Sequence, residues 1–65
     1  MSVCAYIYRN NNGQITRVVL TKREEEDMGA EARPEESLSG WYEIEDVNDC
    51  KRLLDLVSHV RVDVM

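Results

Sequence analysis

The chain has 65 residues, 43% hydrophobic and 32% charged, with 13 acids against 8 bases and a net charge of −5. One thin-cored domain is the only sensible architecture: about 60% of the unfolded surface is buried at this size and the core supplies roughly 3–5 kcal/mol, which leaves little room for a deep ligand pocket. The longest apolar runs, Val3 to Tyr8 and Val18 to Leu20, fall far short of the roughly 20 residues a membrane span needs, and Met1-Ser2-Val3 lacks the basic start of a signal peptide.

Val3 to Arg9 is rich in β-branched and aromatic residues, as is Gln14 to Thr21, and Asn10-Asn11-Asn12-Gly13 between them supplies residues that tolerate positive φ. This predicts a hairpin over residues 3–21. With an even loop, one face carries Val3, Ala5, Ile7, Thr16, Val18 and Leu20. The other carries Cys4, Tyr6, Tyr8, Ile15, Arg17, Val19 and Thr21.

From Glu24 to Glu36, seven acids meet a single base, Arg33, so almost all the net charge sits in this stretch. Thr21 followed by Glu24 resembles a capping box, but Gly29 and Pro34 would stop a helix early. Residues 23–40 therefore read as a long, exposed acidic loop with little to bury.

Order is expected to return at Gly40, with a short strand over 41–45. Asp46 is a natural N-cap with Asp49 at the third helical position, and Val47, Cys50, Leu53, Leu54 and Val57 recur at helical spacing over 47–58. Asn48, Asp49, Arg52, Asp55 and Ser58 point away from that stripe. Val60, Val62 and Val64 then alternate with His59, Arg61 and Asp63 in a last strand over 60–64.

The predicted fold is α+β: a small, mainly antiparallel sheet of three or four strands, one helix on one face, order β-β-(β)-α-β, and the acidic loop. Ile7, Val18, Leu20, Ile44, Leu53, Leu54, Val57 and Val62 form the expected core.

Catalysis finds little support. Ser37 and Ser39 lack a second histidine or a glycine-flanked elbow, and Cys4 and Cys50 fall on elements that should bury or half-bury them. Glu43, Glu45 and Asp46 flank no recognisable pocket, and no phosphate loop or dinucleotide fingerprint is present. Two distant cysteines and the lone His59 do not make a zinc site, and one possible bridge is fewer than small secreted scaffolds use. No cofactor or metal is expected, the thiols should be free, and a cytoplasmic location follows. His59 reads as a helix-capping or surface residue.

A protein-interaction or regulatory module, an inhibitor or adaptor, is the leading expectation. Size and charge are shared with small modulators carried by phages and mobile elements. One helix can cover only one face of a small sheet, so Tyr6, Tyr8 and Arg17 are expected to look outward, a mixture enriched in interface hot spots. Glu24, Glu25, Glu26 and Asp27 would attract a basic surface of another protein. Trp41 is counted with these partner-binding residues, its other reading being a partly buried anchor that holds the acidic segment to the body. A homo-oligomeric module, pairing through the tyrosine face or an uncovered edge strand, is the alternative. Single-stranded nucleic acid comes third, because net negative charge opposes phosphate binding.

Overall fold

The computed structural model describes residues 3–57 and 59–65; what the sequence suggests for Met1, Ser2 and Ser58 lies outside the described residues. Two strands, β1 (Val3–Asn10) and β2 (Ile15–Thr21), form the expected hairpin. Asn10 closes its turn, because the side-chain oxygen accepts the backbone N–H groups of Asn12 (2.9 Å) and Gln14 (3.0 Å). Gly13 holds the positive φ, 81°, that the turn requires.

The acidic stretch is not a long loop. It contains a short helix, α1 (Glu25–Ala30), and leads into a strand, β3 (Glu36–Ile44), that begins five residues before the expected strand start. Thr21 does not make a capping box: its hydroxyl accepts the Arg23 N–H, and Glu24 precedes the helix without a side-chain cap. The three acids of the first turn favour the helix through its dipole. Helix α2 (Val47–Leu56) and strand β4 (Arg61–Val64) complete the chain.

Asp46 caps α2 as expected, accepting the Asp49 N–H at 3.1 Å, while the Asp49 carboxylate accepts the Glu45 N–H at 2.9 Å. This is a capping box displaced by one residue.

The four strands form one mixed sheet in the order β3-β1-β2-β4, antiparallel except that β4 runs parallel to β2. Both faces are covered, which corrects the one-sided expectation. On one face Leu53 and Val57 of α2 pack on Ala5, Ile7, Val18 and Ile44. On the other, Met28 of α1 is fully buried against Tyr6, Tyr8 and Val19.

Two β-bulges interrupt the alternation of faces, and the first of them moves Ile15 from its expected face. Tyr8 pairs with Arg17 but Arg9 pairs with Ile15, so Thr16 is the extra residue and Ile15 moves to the α2 face. Ile7 pairs with Gly40 but Tyr8 with Leu38, so Ser39 is extra; Leu38 lies on the α1 face and Tyr42 on the α2 face despite their even spacing.

The stripe of α2 is broader than the area it covers. Leu54, expected in the core, is 65% exposed, since it lies about 100° around the helix from Leu53. Val47 and Cys50 are exposed as well, and so is Val62 on the outermost strand.

Candidate functional site

The α1 face was the candidate interaction surface, and its geometry differs from that expectation. Tyr6, Tyr8 and Arg17 are buried under the segment from Arg23 to Glu36. The Tyr6 hydroxyl donates to the Arg23 carbonyl at 2.7 Å and the Tyr8 hydroxyl to the Met28 carbonyl at 2.5 Å, so the two phenols hold the start and middle of the covering segment. Burial is the main reason both phenols titrate above their usual range. For Tyr8 the nearby Arg17 guanidinium opposes that rise.

Arg17 holds the far end. Its guanidinium lies 4.2 Å over the Tyr8 ring, its Nε donates to Glu36 Oε1 at 2.7 Å, and its Nη2 donates to the Glu31 carbonyl at 3.0 Å. Glu36 also accepts from the Thr16 hydroxyl (2.6 Å) and the Arg33 N–H (3.2 Å). Burial pushes the Glu36 carboxyl upward, but these hydrogen bonds and the Arg17 charge outweigh it and leave the group below its usual range. These three side chains are therefore fastenings within the fold.

What they fasten is an exposed surface. Glu24, Glu25, Glu26 and Asp27 all face solvent, displayed by a helix whose single buried residue is Met28. The negative field of Glu25 and Glu24 reaches the Tyr6 phenol, adding to its upward shift after burial and the Cys4 thiol. Trp41, opposite Tyr6 on the neighbouring strand, lies against that ring with centroids 6.2 Å apart and planes inclined by 34°. Unlike Tyr6, it is 42% exposed.

Glu43, two residues beyond Trp41, is opposite Cys4 and shares the α1 face. The Glu43 carboxyl pushes the Glu45 carboxyl up, first as a hydrogen-bond partner for its protonated form and then as a like charge, with smaller upward pushes from burial and the charges of Asp49 and Asp46. Trp41 thus shares a strand face with Glu43, and it lies against the same Tyr6 side chain that the charges of Glu25 and Glu24 act on. Sequence reasoning singled out Trp41 and the α1 acids but not Glu43 and Glu45 as part of the surface. The signal was the i, i+2 spacing of Trp41 and Glu43 on one strand face.

No three His, Cys, Asp or Glu side chains among the described residues are grouped to hold a metal ion. Cys4 is half-buried and Cys50 exposed, both as free thiols, so the expected burial of Cys50 is corrected. No helix among the described residues is long and apolar enough to cross a membrane. Comparison with known proteins finds no matching family model, no matching curated protein and no matching solved structure.

Proposed function

We propose that this protein is a small interaction module, an adaptor or inhibitor acting by contact, whose surface of Trp41, Glu24, Glu25, Glu26 and Asp27 takes a basic segment of another protein. The observation that carries this reading is the exposure of Trp41 beside buried Tyr6, on a face bordered by carboxylates. A tryptophan face attracts a Lys or Arg side chain by cation–π interaction, worth about 0.5–1 kcal/mol at an exposed site and more when desolvated. The surrounding acids raise the encounter rate with a basic partner and oppose acidic ones. Glu43 and Glu45 extend the same field. Tyr6, Tyr8 and Arg17 support the surface from beneath and make no direct contact. The concentration of negative charge disfavours nucleic acid as the partner.

Affinity capture from the source cell, at low and high salt, tests the proposal. Wild-type protein should retain a basic protein that salt releases, and Trp41→Ala should lose it. Retention of the same partners by Trp41→Ala and by the variant with all four α1 acids neutralised would refute it.

A further inference from the structure

The two edges of the sheet are built differently. The β3 edge has the Ser39 bulge and, between Glu36 and Ile44, only acidic charges, both features that discourage pairing with another strand. The β4 edge has neither. Among the described residues β4 pairs only with β2, and the Met65 N–H bonds to the Leu20 carbonyl on that inner side at 2.9 Å. Alternation along the strand then turns the Val62 and Val64 amides outward. Their side chains share the α2 face with Val18 and Leu20 but are 38% and 78% exposed.

We propose that β4 docks a second copy of this chain, strand against strand, antiparallel about a two-fold axis at Val62. The segment Val60-Arg61-Val62-Asp63-Val64 is complementary to its own reverse. In a two-fold antiparallel pair, directly opposite residues share a face, so only registers that match odd with odd and even with even are allowed. With Val62 on the axis, Val62 meets its copy and Arg61 meets Asp63 twice; Val60, opposite Val64, precedes β4 and gives its N–H to the Val57 carbonyl at 3.0 Å, so it can offer only its carbonyl to the pair. Moving the axis to Asp63 or to Arg61 sets like charges opposite each other, which destabilises a strand pair. Charge therefore favours the Val62 axis over an axis at either neighbouring residue, and the Val62 axis overlaps more of β4 than one at Val64.

Arg61 and Asp63 lie on the α1 face and already pair within the strand, Nε to Oδ1 at 2.8 Å, so both heads are held where the opposite strand would find them. The outcome is an eight-stranded sheet with the exposed valines of both copies joined in one strip on the α2 face. A strand of four residues makes a small contact, and interfaces below about 1,200 Å² in total belong to weak associations. This site lies at the opposite sheet edge from Trp41 and is independent of the proposed basic partner.

Sedimentation equilibrium of the protein alone, with dissociation constants accessible between about 1 μM and 1 mM, gives the direct test. Wild type should form dimers and nothing larger. Arg61→Asp and Asp63→Arg should each weaken dimerisation by about ten-fold, since each sets like charges opposite at two symmetry-related positions. The double exchange Arg61→Asp with Asp63→Arg restores opposite charges and should return the constant to within about three-fold of wild type. As a check that does not depend on how the variants fold, the Val62 and Val64 amides of wild type should exchange more slowly as concentration rises. A wild-type monomer up to about 1 mM, single variants that dimerise like wild type, a double exchange as weak as the singles, or concentration-independent exchange at Val62 and Val64 would each overturn the proposal.

Discussion

The guanidinium of Arg17 and the carboxylate of Glu36 meet at 2.7 Å with side-chain exposures of only 10% and 5%, joining the second strand to the start of the third. This contact turns an acidic stretch that reads as a loop into a fixed layer. Removing one member of such a buried pair leaves an uncompensated charge, at a cost of about 3–5 kcal/mol, comparable to the whole stability of a domain this small. Arg17→Met or Glu36→Leu alone should therefore abolish the cooperative urea transition at 25 °C. The double variant should recover much of it, because no lone charge remains buried.

The same carboxylate sets an acid limit. Glu36 is lowered from its ordinary 4.5, so the stability it contributes is present above that value and lost as pH falls through the lower folded-state value. Thermal melts at pH 7, 5 and 3 should show the main loss below about pH 4.5, and Glu36→Gln, if folded, should have a flatter acid profile. Tyr6, Tyr8 and Tyr42 act at the other end, with burial as the first cause of each upward shift. Their contribution is present below pH 10 and is lost as pH rises through their raised values.

Adjacent leucines on α2 should behave oppositely. Leu53 is buried against the sheet, so Leu53→Ala should cost about 2–5 kcal/mol and leave little folded protein. Leu54→Ala removes a side chain that is mostly in solvent and should change stability by no more than about 0.5 kcal/mol. Circular-dichroism melts of the two variants make the comparison.

Met28 should control the cover without carrying its charge. Met28→Ala opens a cavity between Tyr6, Tyr8 and Val19, with an expected cost of about 2–5 kcal/mol. Cleavage by a glutamate-specific protease should begin within residues 24–36 at a denaturant concentration where wild type still resists. Neutralising Glu24, Glu25, Glu26 and Asp27 should alter the melt far less, with the loss of helix-dipole interactions as its main cost.

The hairpin, the second helix with its Asp46 cap, and the presence of a final strand were legible because each rests on a local signal: turn residues, a side-chain cap, or apolar spacing. The first helix and the first half of β3 were not. Six residues with one apolar anchor, Met28, give no periodicity, and Glu36-Ser37-Leu38-Ser39-Gly40 has little intrinsic strand preference. Pairing with β1 orders that segment, and no short window of sequence contains such a partner. The bulges at Thr16 and Ser39 defeated the two-residue alternation for the same reason. Once α1 covers the tyrosine face, Tyr6, Tyr8 and Arg17 change from candidate contacts to supports, while the acids and Trp41 remain outside.

Trp41 is the chain's only tryptophan and lies within the proposed contact surface, so its fluorescence reports on that surface directly. The decisive measurement is a titration of its emission with a lysine- and arginine-rich peptide, at ionic strengths of about 0.1 M and 1 M, where the Debye length falls from about 10 Å to 3 Å. Our account predicts a saturable spectral change at the lower salt, strongly weakened at the higher, and lost when Glu24, Glu25 and Glu26 become Gln and Asp27 becomes Asn. An unchanged spectrum at low salt, or an equal response to an acidic peptide of the same length, would contradict it.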